Sequence, residues 1–553
     1  MYLYINTCRM VFKYYVFWRT VSMGLSVLLT LLPIVVIVCM LVIFKKSADI
    51  SGIVGWLCVS IVAFLFFNTS LEVTLRSTIS GIIRSFPVSL IVLTSLFMMA
   101  YMEKTGALKR IIIFIKTISS HNKAVQIMMI NIGFGTLMVA VGATPVSLLP
   151  PILLAMGYST YVSIALPSIG YDALCTYALL GAPIVAFLDF ANRHLGPGNE
   201  ITPSQVGSIF YMFLPLVATL IGFCMLYIVD KWNGVKKGFL PCIVTGGVIA
   251  IVAYFTNRVD NLVTLTGVFC GVAVIIVMAL YIKVAGNNIF DRSLLTDEEK
   301  AYEKEYPLWK ALSPWFLLIG LILILNLPKP IYDYLYNLNL PINGISVDGK
   351  GIATRALWNA YTWIAVAVLL SMLIMKPKLS EVKASVKVWW KRAPRPVFSA
   401  AIFFAIGEIM NYSNWSMQTM SYQKDSMIKV LADVSANTFS GAYGFITGFI
   451  GLFGGFITGS EASTIAMFSN YTMQTAERLN LGLNGLVIVT AALAFGGGLA
   501  SVISPAKLQN AAASIDKLGE ENKVIKIAFV FALVLTTVTS LYALLLLKIG
   551  VSV

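Results

Sequence analysis

Gly133-Phe134-Gly135-Thr136-Leu137-Met138-Val139-Ala140-Val141-Gly142-Ala143-Thr144-Pro145 and Leu452-Phe453-Gly454-Gly455-Phe456-Ile457-Thr458-Gly459-Ser460-Glu461-Ala462-Ser463-Thr464 read alike. Both carry an early Phe-Gly pair and continue with small and hydroxyl residues inside a long apolar run. Each is followed by a second interrupted segment. The first half has Gly181-Ala182-Pro183; the second has Gly496-Gly497-Gly498, then Ser504-Pro505-Ala506. From Phe134 to Pro183 is 49 positions, and from Phe453 to Pro505 is 52. Gly- and Pro-interrupted apolar segments at matching places in two halves mark a transporter built from repeats. A broken helix exposes N–H and C=O groups at membrane depth, which is tolerated only where they line a cavity or bind something. The same glycines would also serve close helix packing. The paired spacing, with an acid in one copy, points instead to a site.

Composition agrees with a membrane setting. Of 553 residues, 58% are hydrophobic and 12% charged, with a mean hydropathy of +0.85. A soluble domain carries about 25% charged residues, so too few remain here to coat a water-facing surface. Runs such as Gly24 to Phe44 and Ile527 to Leu547 approach the ~20 residues a helix needs to cross the hydrocarbon layer. They lack the two-residue alternation of barrel strands. The fold class expected is therefore an all-α polytopic membrane protein with roughly 12–14 spanning or re-entrant segments. Apolar segments fall near 23–44, 51–68, 86–102, 124–156, 159–190, 206–229, 238–256, 261–284, 311–327, 354–375, 397–412, 440–470, 482–503 and 524–549. Leu71 to Arg84 and Leu108 to Lys116 are amphipathic and expected at the interface.

The net charge of +15 reflects basic residues between apolar runs, the positive-inside bias of membrane proteins, rather than nucleic-acid binding. The link 376–396 carries Lys376, Lys378, Lys383, Lys387, Lys391, Arg392 and Arg395 against Glu381, which places it in the cytoplasm. The links 287–310 and 230–238 fall on the same side; those at 257–260 and 328–353 face out. The chain divides into an N-terminal interfacial segment (1–22), a first transmembrane half (23–284, hairpin motif 133–156), a charged cytoplasmic loop (285–310) and a second half (311–553, hairpin motif 452–470). The seven cysteines form no Cys-x-x-Cys pair, and His121 and His194 are far apart, so no metal site is expected. No catalytic or nucleotide-binding motif is present, which argues against an enzyme or an ATP-driven pump.

Glu461 stands at the centre of the second motif. A carboxylate at membrane depth costs a few kcal/mol or more unless paired, hydrated or protonated, which suits a proton-coupled carrier. Lys507, after the Ser504-Pro505 break, is a partner for Glu461 or for an anionic substrate, or an interfacial lysine that snorkels. Thr458, Ser460, Ser463 and Ser504 offer hydroxyls near half-helix ends, where backbone N–H groups favour anions. In the first half, Thr144 lies at the motif's end, and Asp172 stands with Tyr171 and Thr176 in the matching break. Glu408 and Asn411 form a further polar cluster, which could equally be interhelical hydrogen bonding.

The second half resembles the lactate permease family of bacteria and archaea. The matching stretches are Ile409-Met410-Asn411-Tyr412-Ser413, Gly455 to Ser463 running on to Ala466-Met467-Phe468, and Val502-Ile503-Ser504-Pro505 with the tail Asn510 to Ser514. In the first half the family shows Glu-Gly-Ala-Ala-Gly-Phe-Gly-Ala-Pro, where this chain has Val139 to Pro145 with no glutamate. Tyr171-Asp172 lies near the place of an Asn-Thr pair, and Lys507 stands where the family often has a neutral residue. The resemblance implies proton symport of a short 2-hydroxymonocarboxylate such as lactate or glycolate. It further implies an ion-transporter-type fold of two inverted repeats, each with a re-entrant hairpin and a broken helix. Such carriers often move by an elevator-like shift and are often dimers, so a homodimer in the plasma membrane is the assembly to test. No cofactor is expected beyond the coupling ion: a proton, with sodium as the alternative. A passive anion channel and a membrane enzyme are the readings from other classes.

Overall fold

The computed structural model describes residues 24–118 and 122–551; the N-terminal segment 1–22 and His121 lie outside them. The protein is helical, with two short antiparallel ladders at Pro341–Ile342 with Ile352–Ala353 and Trp415–Ser416 with Ser421–Tyr422. Its helices begin with α1 (Gly24–Val42), α2 (Ala48–Phe66), α3 (Leu71–Arg84), α4 (Phe86–Lys104) and α5 (Ala107–Lys116). Then come α6 (Lys123–Ala140), α7 (Pro145–Ala155), α8 (Thr160–Gly170), α9 (Ala178–Leu195) and α10 (Pro203–Lys237). Between the two repeated units lie α11 (Phe239–Thr256), α12 (Thr266–Val284), α13 (Asp297–Glu305), α14 (Ser313–Asn326) and α15 (Lys329–Asn337). The second half holds α16 (Ala360–Met375), α17 (Leu379–Arg392), α18 (Pro394–Asn411), α19 (Met427–Phe439), α20 (Tyr443–Thr458), α21 (Glu461–Arg478), α22 (Gly482–Ser501), α23 (Pro505–Ala513) and α24 (Glu521–Ile549). Among the described residues, 11 helices are long and apolar enough to cross a membrane, or up to 13 if each bent pair is one span.

The order α2–α10 repeats as α16–α24: a span, an amphipathic helix, a span, a short helix, two half-helices about a break, a broken helix and a long helix. Packing repeats as well. α2 and α3 lie against α18, and their counterparts α16 and α17 lie against α4, with α4 and α18 touching each other. Ion pairs show that the two units run in opposite directions. Arg395 at the start of α18 is 3.8 Å from Asp49 at the start of α2, and Arg392 is 2.6 Å from Glu103 at the end of α4. The end of α4 and the start of α18 therefore share one face, although they hold equivalent places in their units. That face carries the basic link 376–396 and is cytoplasmic by charge bias. It also carries α13, docked on α5 through Lys116–Glu299 (2.6 Å) and Arg110–Glu303 (3.2 Å).

The two hairpins enter from opposite faces. Where α6 begins and α7 ends, the Tyr158 hydroxyl donates to Gln126 at 2.8 Å, just beyond the cytoplasmic helix α5. Where α20 begins, Gly444 lies against Leu547 at the end of α24. Where α21 ends, Arg478 pairs with Asp433 at 2.6 Å. His194, at the end of α9, has Nε2 2.9 Å from Glu477, which puts this end on the outer face.

The helices fall into two bodies. One is built from α1–α4, α14 and α16–α18, the other from α6–α12 and α20–α24. They meet where α4 packs on α9 and α18 on α21, Gly407 lying against the Ala466 carbonyl.

Candidate functional site

Both hairpins turn on a left-handed glycine. Gly142 has φ 86° and Gly459 φ 68°, a region an L-residue enters only at a cost. The half-helices α7 and α23 each restart with proline, Pro145 and Pro505, whose missing N–H is no loss in a first turn. The tip of the second hairpin is tied by hydroxyls. Thr458 Oγ1 donates to the Ser460 carbonyl at 2.8 Å, and Thr464 Oγ1 donates to the same oxygen at 2.9 Å. Ser460 caps α21, its Oγ 3.5 Å from the Ser463 N–H. Glu461 is thus the first residue of α21, held at the turn between two half-helices.

The matching break in the first half is longer. After α8 the chain runs through a tight 3₁₀ segment, Tyr171–Tyr177, then passes Leu179, Leu180 and Gly181 at φ 52°, 54° and 75°. Two leucines in the left-handed region store roughly 1 kcal/mol or more each. The strain sits where the chain must turn a broken helix toward the other repeat.

There the repeats meet. Glu461 is 2% exposed, and its carboxyl faces Thr176, Cys175 and Asp172 of the first break and Lys507 of α23. Asp172 is 3% exposed. Neither Glu461 oxygen has an aligned hydrogen bond among the described residues. Gly498 forms the floor: a Cβ there would stand 2.7 Å from Glu461 Oε2 and 3.4 Å from Cys175 Cβ. Ser504 is the residue before the restart of α23 and flanks the hairpin tip, its Oγ 3.5 Å from where a Cβ on Gly459 would lie. A buried carboxyl without fixed donors requires a cation or a proton, and Lys507 and Asp172 set one basic and one acidic side chain beside it.

Family comparison agrees with this layout. The model of the L-lactate permease family matches residues 26–550. The chain belongs to the L-lactate permease family. It is 22% identical to the glycolate permease GlcA of Escherichia coli K12 over 94% of this chain and 96% of that protein. It is 23% identical to an L-lactate permease of Salmonella typhi over the same shares. An L-lactate permease of Bacillus subtilis is 22% identical over 90% of this chain and 92% of its own. Like these relatives the chain is a permease, a multi-pass protein of the cell membrane.

Within this lactate-permease-family fold, the residues singled out from sequence are distributed unequally. Glu461, Ser460, Ser463, Thr458, Ser504, Lys507 and Asp172 gather about the second hairpin tip and the first break. Thr144 stands exposed at the first hairpin tip as the residue before α7. Asn411 ends α18 in the other body, where its carbonyl accepts the Tyr422 hydroxyl at 3.0 Å. Glu408 is engaged by Arg193 at 2.6 Å rather than grouped with Asn411. Sequence reading missed Cys175 and Gly498 as neighbours of Glu461. Both sit in breaks whose contacts cross between repeats, and only the position of Gly498 within Gly496-Gly497-Gly498 hinted at it.

Proposed function

We propose that the chain is a secondary active carrier that takes up lactate, or a related short 2-hydroxymonocarboxylate such as glycolate, together with protons. The observation that carries the reading is Glu461. It is buried at a hairpin tip, without fixed donors, beside one lysine and facing the break of the opposite repeat. The substrate carboxylate binds between the second hairpin tip and the first break, held by N–H groups of the α21 first turn, by Ser460 and Ser463, and by Lys507. Glu461 takes up a proton as the site fills and releases it inside, so the carboxyl is never left ionised and unpaired in the cavity. The printed names of the relatives, lactate and glycolate permeases, support the substrate class.

The test is uptake of radiolabelled lactate into proteoliposomes with and without an inside-alkaline gradient. Accumulation that follows the gradient, collapses with a protonophore and is lost in Glu461→Gln is the expected result. Gradient-driven accumulation retained in Glu461→Gln would remove Glu461 from the coupling step. Accumulation that follows sodium instead of pH would replace the proton as the coupling ion. Uptake that never runs uphill would make the protein a passive pathway.

A further inference from the structure

Four charged side chains, two buried and two partly buried, lie where the two bodies meet toward the outer face, and the transport site uses none of them. Arg84 ends α3, and Glu408 lies on α18; both belong to the first body. Asp189 and Arg193 lie on α9, in the second. Their side chains are 5%, 0%, 29% and 14% exposed, in that order. The shortest contact runs between bodies, Arg193 to Glu408 at 2.6 Å, and Arg84 also reaches across, 3.6 Å from Asp189. Within the first body, Arg84 Nε is 3.7 Å from Glu408. Within the second, Asp189 and Arg193 are four residues apart on one helix, the spacing at which an acid and a base can pair.

Each body thus carries one acid and one base of its own. A buried charge that loses its partner is strongly destabilising. Here separation of the bodies would leave none bare, because each side retains an internal counter-ion. We propose that these residues form a partner-exchanging ion quartet. Arg193–Glu408 and Arg84–Asp189 hold the bodies in the arrangement seen; when one body slides past the other, the Arg84–Glu408 contact already present is kept and Asp189–Arg193 closes. The inference rests on the carrier reading but not on which anion is carried.

Charge reversals distinguish this from an ordinary structural ion pair. In the cross-body exchange, Arg193→Glu with Glu408→Arg, the two contacts between bodies are kept, while Arg84 meets a like charge at position 408 within its own body. Each body on its own then holds two like charges. This variant folds, stays in the present arrangement, and carries substrate at least ~10-fold more slowly. The within-body exchange, Arg84→Glu with Glu408→Arg, does the reverse: it sets like charges across the interface and favours the separated arrangement. The arrangement is read without substrate, as the distance distribution between spin labels at Lys387 of α17 and Lys526 of α24 in a cysteine-free chain in nanodiscs. The two variants should shift that distribution in opposite directions. Identical distributions in both would overturn the quartet, as would wild-type flux in the cross-body exchange. If the cross-body exchange fails to assemble, the within-body exchange decides alone: a distance distribution unchanged from the wild type would overturn the quartet.

Discussion

Gly498→Ala is the sharpest probe of the site. A Cβ built at Gly498 stands 2.7 Å from Glu461 Oε2, and its next neighbour, Cys175 Cβ, is at 3.4 Å. An ordinary carbon–oxygen contact needs roughly 0.6 Å more than 2.7 Å, while 3.4 Å is already normal packing. The whole misfit therefore falls on the carboxyl, the mobile end of a side chain, which can swing aside. The stability cost stays near the low end of the ~1–3 kcal/mol typical of overpacking. The functional cost is larger, because a binding group displaced by a sizeable fraction of an ångström loses on the order of tenfold or more in rate. Gly455→Ala is the control with the opposite profile. Its Cβ would run into the Gly497 carbonyl, a backbone atom that cannot swing, so α20 and α22 must part and stability falls first. The assay is gradient-driven uptake in proteoliposomes beside thermal unfolding in detergent. Gly498→Ala should unfold close to the wild type yet transport roughly ten times more slowly. Wild-type flux in Gly498→Ala would refute the placement of the Glu461 carboxyl over this glycine.

Lys507→Ala should raise the KM for the anion while leaving the protein folded; an unchanged KM would remove Lys507 from substrate binding. Tyr158→Phe deletes the 2.8 Å bond to Gln126 that closes the base of the first hairpin. It should cost about 1 kcal/mol, read as a lower midpoint of thermal unfolding; no shift would mean that the bond is not what closes that base. The cytoplasmic dock of α13 on α5 should weaken in acid. Burial raises the Glu299 carboxyl, but the Lys116 ammonium and the Thr296 donors outweigh it and hold it below its ordinary value. A carboxyl depressed in the fold contributes stability that is present above its unfolded value and lost as pH falls through the folded one. Amide exchange in 292–306 should therefore rise as pH drops below about 4.3, after correction for intrinsic rates, and Lys116→Gln should flatten that dependence. A pH-independent protection in the wild type would contradict it.

The helical membrane fold was legible because its signals are local. Long apolar runs set the spans, Gly and Pro mark the breaks, and amphipathic spacing sets 71–84 and 108–116 apart. The core of the candidate site was legible for a related reason: Glu461 is conspicuous as an acid inside an apolar run. What sequence could not supply was pairing across distance. Arg84 read as one more base on an amphipathic helix, and Glu408 as a neighbour of Asn411. Their partners lie on α9, and nothing in either local pattern names that helix. Cys175 carried no signal beyond its place in an apolar run, and it is partly buried; its contact with Glu461 depends on a break whose left-handed Leu179 and Leu180 have no sequence signature. The glycines divide along the same line. Gly455 and Gly497 serve close packing, while Gly498, one residue on, borders the carboxyl.

The second hairpin has a consequence for how the protein is made. Its first half, α20, lies against α24, with Gly444 on Leu547 and Gly448 beside Ser540. Those contacts lie far downstream of the hairpin, on a helix that leaves the ribosome after it. α20 therefore emerges before the helix it leans on, while α21 can settle at once on the earlier α9 and α18. The Glu461 pocket is then completed only as biogenesis finishes.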